Sequence, residues 1–209
     1  MELSVLDSKG KSTGRKISLD DDVFNVELKN HIVYLEIKRY LASQRQGTHK
    51  SKEKAEVTGS TRKLRKQKGS GAARIGSVKS TVLRGGGTTF GPRPRDYSFK
   101  LSKSQKRLAK KVILSQKLRD NQITIVEDLN FDEPKTKKFI ELQNSLNVMD
   151  KKSLFVLGEQ NKNVYLSSRN LPNVKVVNHS ELDSYNLMLA KNIVFLESSV
   201  GKIQENLRK

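Results

Sequence analysis

The residues with the clearest chemical potential are cations set among glycines. Arg62-Lys63-Leu64-Arg65-Lys66-Gln67-Lys68 places five positive charges in seven residues directly before Gly69-Ser70-Gly71. Five such cations can neutralise several phosphates, and glycines without a Cβ let backbone N–H groups come close to a ligand. Further on, Arg84-Gly85-Gly86-Gly87 and Gly91-Pro92-Arg93-Pro94-Arg95-Asp96-Tyr97 alternate guanidinium groups with hinge and rigid-turn residues. Arginine grips phosphate through two parallel N–H donors and also stacks on planar groups, so this spacing suits bridging separate strands of a polyanion. The rings of His49, Phe90, Tyr97 and Phe99 lie in the same stretch, where they can stack on unpaired bases or pack against the segment itself. This is chemistry of binding, not of bond making.

Residues suited to catalysis are scarce. The chain has no Cys, which removes disulfides, thiolate zinc sites and thiol nucleophiles, and its three His (His31, His49 and His179) are far apart in sequence. Gly71-Ala72-Ala73-Arg74-Ile75-Gly76 has the glycine spacing of a phosphate loop, but Ser77-Val78 stands where Lys-Ser/Thr is required. Glu127-Asp128 and Glu159 follow apolar runs, where catalytic acids often sit. Neither run leads into a glycine-rich dinucleotide turn, so solvated caps are the expectation there. His31 and His179 are expected at the surface. Two other functions remain to be weighed, a nucleotide-dependent enzyme using the sheet and a free-standing regulator that recognises one short RNA.

The charge is localised. Lys+Arg 41 against Asp+Glu 22 gives a net charge of +19 over 209 residues, yet residues 1–42 hold seven basic and seven acidic side chains and residues 120–209 hold twelve of each. Residues 43–111 carry twenty basic residues against Glu53, Glu56 and Asp96. A polyanionic partner accounts for such a block better than a merely solvated surface does. Between Ser43 and Lys100 lie nine of the thirteen Gly and only scattered apolar residues, without helical or strand period. Such a stretch does not bury enough apolar surface to offset about 1–2 kcal/mol of backbone entropy per residue. It is therefore expected to order on a partner.

The flanking parts must supply the fold that positions this segment. Met1 to Leu6 alternates as a half-buried strand, Ser8-Lys9-Gly10-Lys11 is turn chemistry, and Arg15 to Leu19 reads as a second short strand. Asp20-Asp21-Asp22 is the expected start of one helix running to about Ala42, with Phe24, Leu28, Ile32 and Leu35 on one face. Ser102 and Gln105 have capping-box spacing ahead of the stripe Leu108, Ala109, Val112 and Ile113. Ile123–Val126, Leu154–Leu157, Val174–Val177 and Ile193–Leu196 read as strands. Helices belong between and after them, one with Phe139, Leu142 and Leu146 inward and a last one over about Val200 to Leu207. Continuous apolar strands separated by helices predict an α/β fold of three layers, a mostly parallel sheet between helices. The organisation is then residues 1–42 and 101–209 as one globular domain, with 43–100 as an extended basic arm inserted in its N-terminal half. No apolar run approaches a membrane span, and the acidic start lacks signal-peptide character, so a soluble cytoplasmic protein is expected.

Gln44-Arg45-Gln46-Gly47-Thr48-His49-Lys50, Glu56-Val57-Thr58-Gly59-Ser60, Gln67-Lys68-Gly69-Ser70-Gly71, Arg84-Gly85-Gly86-Gly87 and Phe90-Gly91-Pro92-Arg93-Pro94-Arg95-Asp96-Tyr97-Ser98, in this order and spacing, resemble the bacterial large-subunit ribosomal protein four family. Pro134-Lys135-Thr136-Lys137 and Ser168-Arg169-Asn170-Leu171 extend the resemblance over essentially the whole chain. It implies a structural constituent of the large ribosomal subunit, without enzymatic activity, metal or cofactor. Its partners would be large-subunit rRNA, neighbouring ribosomal proteins and, near the arm tip, the nascent peptide, with no membrane and no homo-oligomer. It also implies early binding during subunit assembly. The rRNA-binding positions it implies are Arg45, Gln46, His49, Lys50, Lys52, Arg62, Lys63, Arg65, Lys66, Lys68, Arg74, Lys79, Arg84, Arg93, Arg95 and Tyr97, continued by Lys103, Lys106 and Arg107. Gln67, Lys68, Gly69, Ser70 and Gly71 would line the peptide exit tunnel. The sequence departs from the family pattern at Leu64-Arg65, where Pro-Trp is usual, and at Ala72, where Arg is frequent, so tip contacts do not transfer to those three positions.

Overall fold

A computed structural model describes residues 1–149 and 151–208. In chain order it contains β1 (Glu2–Leu6), β2 (Ser12–Ser18), α1 (Asp21–Phe24), α2 (Asn30–Ser43), α3 (Lys103–Arg119), β3 (Ile123–Val126), α4 (Thr136–Ser145), β4 (Ser153–Leu157), α5 (Lys162–Ser168), β5 (Val174–Asn178), α6 (Ser184–Leu189), β6 (Asn192–Leu196) and α7 (Glu197–Arg208). The strands form one sheet in the order β2-β1-β3-β6-β4-β5. Only β1–β2 is antiparallel; the other neighbours are parallel.

The period of two along each strand explains the three layers. Ile123 and Ile125, Leu154 and Val156, and Ile193 and Phe195 pack with Val23, Phe24, Val112, Ile113, Leu187, Val200 and Ile203 of α1, α3, α6 and α7. The alternate residues Val126, Phe155, Leu157, Val194 and Leu196 pack with Phe139 and Leu142 of α4 and Val164 of α5. A sheet buried on both faces needs apolar residues at both parities, which is why β4 and β6 carry unbroken apolar runs and β3 departs from one only at Thr124. The edge of Phe139 meets Phe155 at a centroid distance of 5.0 Å and an interplanar angle of 65°.

The helix starts follow their caps. Ser102 Oγ accepts from the Gln105 N–H at 3.2 Å, and the Ser102 N–H donates back to Gln105 Oε1 at 3.4 Å, so both halves of the capping box are made. Asn161 Oδ1 caps α5 through Asn163 N and Val164 N. Asp183 Oδ1 caps α6 through Asn186 N.

The single helix expected from Asp20 to Ala42 is instead two. α1 ends after Phe24, where Asn25 takes φ −127°, ψ 39°. The next residue is held from a distant part of the chain: Val26 N–H donates to Ser115 Oγ at 3.0 Å, and the Ser115 hydroxyl donates to Lys111 O at 2.9 Å. Arg119 Nη2 reaches Val26 O at 3.3 Å. These bonds satisfy backbone groups that a continuous helix would have paired internally, and Leu28, expected inward, is exposed. α2 then buries Val33 and Glu36, the latter in a two-pronged ion pair with Arg39 at 2.7 Å for each contact. His179 also differs from expectation. It is half-buried after β5, with Nδ1 buried and without a hydrogen-bond partner.

Contacts divide the chain into two compact units, Met1–Tyr40 with Lys100–Lys209 and Leu41–Phe99. The second contains turns and bends but no further strand or helix beyond the end of α2 among its described residues.

Ser115 is fully buried inside this arrangement, so Ser115→Ala would strand the Val26 N–H. We expect about 1–3 kcal/mol of destabilisation, read as a lower urea midpoint with an unchanged slope.

Candidate nucleic-acid interface

Leu41–Phe99 carries fourteen basic residues against Glu53, Glu56 and Asp96. Its order comes from sparse bonds between distant positions. The Arg95 N–H donates to Gly47 O at 3.2 Å, Ser51 N to Pro92 O at 3.1 Å, Thr88 N to Lys52 O at 2.9 Å, Gly87 N to Lys79 O at 3.2 Å and Leu64 N to Gly76 O at 3.0 Å. Stretches of chain approach so closely that side chains are excluded, as at Gly47 and Gly87. A Cβ on Gly47, whose φ is +66°, would stand 2.1 Å from Arg95 O, and one on Gly87 would stand 2.3 Å from Lys54 N. At Gly69 and Gly71 the space around a Cβ is open, so the tip glycines serve positive φ rather than internal packing.

The acids of this unit are all engaged. Glu53 Oε1 accepts from Arg93 Nε at 2.6 Å, and Glu56 Oε1 from Lys50 Nζ at 2.5 Å. The Lys50 bond holds the Glu56 carboxyl below the usual carboxylate range, with the Glu53 N–H adding to it. Asp96 is lowered chiefly by the Ser98 N–H, with the Ser98 hydroxyl behind it, both at 2.8 Å. These contacts tie the segment to itself, leaving a strong cationic excess to face outward.

Of the positions named from sequence, Arg45, Gln46, His49, Lys50, Lys52, Arg62, Lys63, Arg65, Lys66, Lys68, Arg74, Arg84, Arg93 and Arg95 are exposed, while Lys79 and Tyr97 are half-buried. Every residue from Thr61 to Arg74 is exposed, including the whole of Gln67 to Gly71. Lys63 Nζ bonds Gln67 Oε1 across the tip. Lys103, Lys106 and Arg107 lie on α3 in the other unit.

One group is brought together in detail. The guanidinium carbons of Arg45 and Arg95 lie 3.8 Å and 4.5 Å from the centroid of the Tyr97 ring, and the Tyr97 hydroxyl is 3.1 Å from His49 Nε2. Tyr97 therefore organises two cations as a platform, a role that the list of rings in the sequence did not assign to it. Sequence reasoning left Lys54 out of the contact set and offered Phe90 only as a ring that could stack or pack. They line a cleft of about 940 Å³ with His49, Arg93 and Arg95. The signal available for Phe90 was its place before Gly91-Pro92 amid arginines.

The sheet's C-terminal edge was the competing site, and its polar groups are already committed. Arg15 joins Glu127 and Glu197, the latter through Nη1 at 3.1 Å. Asp128 Oδ1 accepts from Ser198 Oγ at 2.7 Å and from Ser198 N at 3.3 Å, occupying the start of α7 with the protein's own carboxylate. Lys202 Nζ bridges Gly158 O and Glu159 Oε1, each at 3.1 Å. A Cβ at Gly158 would come within 2.2 Å of Ser198 Oγ, so the turn after β4 packs directly on α7 where a phosphate would need room. Gly71 to Gly76 is followed by no helix until α3, so it lacks the strand-to-helix setting of a phosphate loop. Among the described residues no group of three or more His, Asp or Glu is placed to hold a metal ion, and no helix is long and apolar enough to cross a membrane.

Residues 17–206 match the model of the Ribosomal protein L4/L1 family. The chain is 59% identical over 209 residues to the large ribosomal subunit protein uL4 of Flavobacterium johnsoniae, covering 100% of both sequences. It is 58% identical over 207 residues to the uL4 of Christiangramia forsetii, covering 99% of this chain and all of that protein. With the uL4 of Bacteroides fragilis it shares 52% over 207 residues, again 99% of this chain and all of the other.

Gly47→Ala would place a side chain against Arg95 O at a left-handed backbone position. The Arg95 amide should lose its hydrogen-exchange protection, while amides of the sheet and the melting of the globular unit stay unchanged.

Proposed function

The chain belongs to the Ribosomal protein L4/L1 family, a family of structural, non-enzymatic ribosomal components, and we propose that it binds large-subunit rRNA through Leu41–Phe99 and supports early assembly of the subunit. The observation that carries this reading is the segregation of charge. The excess begins in Leu41–Phe99, a run of exposed cations and glycines without regular secondary structure that holds +11 of the net +19, and continues through residues 100–119 into α3 with the other +8, while residues 1–40 and 120–209 are charge-balanced. Phosphate contacts of this kind are individually modest and collectively dominant, because each releases counterions from the RNA. Lys103, Lys106 and Arg107 add cations at the start of α3, where the chain re-enters the globular unit. On this reading, the division 1–42, 43–100 and 101–209 is one of labour, with rRNA binding in the middle.

We further propose that Gln67 to Gly71 lies at the wall of the peptide exit tunnel, with neighbouring large-subunit proteins and the nascent peptide as its surroundings. What supports this is the full exposure of the tip, the open space around Gly69 and Gly71, and the agreement of these residues with the family pattern. Leu64, Arg65 and Ala72 give this tip a different face from the usual pattern, with a guanidinium where an indole is common.

Two outcomes test the reading. Replacing Arg84, Arg93 and Arg95 together with Gln should weaken binding to large-subunit rRNA. It should also reduce the slope of log affinity against log salt by roughly 2, at about 0.7–0.9 per phosphate contact; an unchanged slope would move the RNA surface elsewhere. Lys68→Glu should leave large-subunit occupancy intact in a strain carrying only the variant while altering macrolide sensitivity. Loss of occupancy from this one change would make the tip an assembly anchor, and unchanged sensitivity would count against its placement at the tunnel.

A further inference from the structure

Phe90 combines two features that ordinary packing does not explain. Its ring is as exposed as in an extended peptide, with a relative accessibility of 102%. Its backbone sits at φ +54°, in the left-handed region that bulky side chains avoid. A large apolar side chain fully in water gains nothing from folding, and a positive φ at a residue with a Cβ is strained; glycine would serve the turn better. Held in this way, the ring is displayed rather than packed.

What it is displayed beside gives the ligand. Phe90 stands at the rim of the cleft of about 940 Å³ that also carries His49, Glu53, Lys54, Arg93 and Arg95. Pockets for small organic groups run from about 300 to 1,000 Å³. Glu53 is tied to Arg93, so the cleft has one carboxylate already matched and retains cationic excess from Lys54 and Arg95. An exposed aromatic face next to a cationic hollow is the combination that takes a single nucleotide, with the base on the ring and the phosphate among the cations. The cleft joins a largely apolar lining to three cations, Lys54, Arg93 and Arg95, and a base with its phosphate uses both where an apolar protein segment would leave the cations unmatched.

We propose that this cleft receives one unpaired nucleotide of an RNA, its base stacked on Phe90 and its phosphate held by Lys54 and Arg95. The proposal rests on the rRNA-binding reading above and adds to it a discrete stacking site. The strained φ is then the means by which the turn before Gly91-Pro92 turns the ring away from its own chain.

The test uses the full chain with in vitro transcribed large-subunit rRNA, comparing wild type, Phe90→Gly and Phe90→Tyr by filter binding and nucleotide-resolution chemical probing. Glycine is the informative replacement because it relieves the backbone while removing the ring. Phe90→Gly should bind roughly tenfold to a hundredfold more weakly with the salt slope unchanged, since no charge is altered. The change in reactivity should be confined to one or two adjacent nucleotides. Phe90→Tyr, which keeps a stacking face, should match wild type. Equal affinity and identical reactivity for wild type and Phe90→Gly would overturn the stacking site and leave the ring to a protein neighbour. Collapse of the whole footprint with Phe90→Gly would overturn it too, as it would show the residue acting through the fold of the segment. Wild-type protein that protects no part of the rRNA would overturn the rRNA reading itself, an outcome distinct from either.

Discussion

The parallel pairing of Val5 with Ile125 and of Leu6 with Val126 joins two stretches of chain that the basic insertion separates, and the globular unit depends on it. Without that pairing the β1–β2 hairpin has no sheet to extend, and a two-stranded hairpin alone is marginal in water. The Glu127 N–H continues the ladder to Leu6 O at 3.0 Å, and Val5 is fully buried beneath it. Further ties span the same gap: Val26 to Ser115, and Arg208 Nε to Asp20 Oδ2 at 2.5 Å. Closing a long loop costs only slowly more as the loop grows, so the cost of the insertion is largely independent of how much basic chain it contains. The globular unit can therefore carry a cationic insertion of considerable length without being redesigned.

Cations in the two units are used differently. Within the globular unit they complete the fold: Lys117 Nζ donates to Gln122 Oε1 and Ala190 O, both at 2.7 Å, and Lys175 Nζ donates to Asn186 Oδ1 at 2.9 Å. Burial lowers the Lys117 pKa, with the Asp120 charge opposing that shift, and Lys110 is likewise pushed down by burial against the pull of Asp183 and Glu36. Such groups cannot be turned outward without loss. In Leu41–Phe99 nearly all cations are exposed, and Glu53 and Glu56 hold Arg93 and Lys50 in place without neutralising the segment. Solvated guanidinium and ammonium groups at the surface keep their charge available to a polyanion.

What could be read from the sequence followed from local physics. The strands β3, β4, β5 and β6 were legible because their apolar runs are bounded by polar turns, and the start of α3 because Ser102 and Gln105 satisfy each other within three residues. The break between α1 and α2 was not, because its cause lies 89 residues away at Ser115 and no helical period reveals it. In the basic segment the cations were evident, but their arrangement was not. Tyr97 is in sequence one of several rings able to meet a base, and only the fold places Arg45 and Arg95 over it. Gly87 reads in the sequence as a hinge, whereas Gly87 and Gly47 permit contact between distant stretches of backbone. Phe90 gave no sign of its positive φ, since that angle depends on how the turn is held by bonds such as Ser51 N to Pro92 O.

The Tyr97 node shows why such a segment is matched to a polyanion. Two guanidinium groups near one ring are no more than about 8 Å apart, and their repulsion in water is at least about 0.5 kcal/mol at that separation. Each gains about 0.5–1 kcal/mol from an exposed aromatic face. The opposing effects are of similar size, so Tyr97 can hold both cations in register in the free protein with little margin. A phosphate placed between or beside them replaces the repulsion with attraction to a common anion, while the cation–ring contacts need not be surrendered. The ring thus contributes position rather than charge, and the balance that is narrow in water moves toward binding once RNA supplies the missing negative charge.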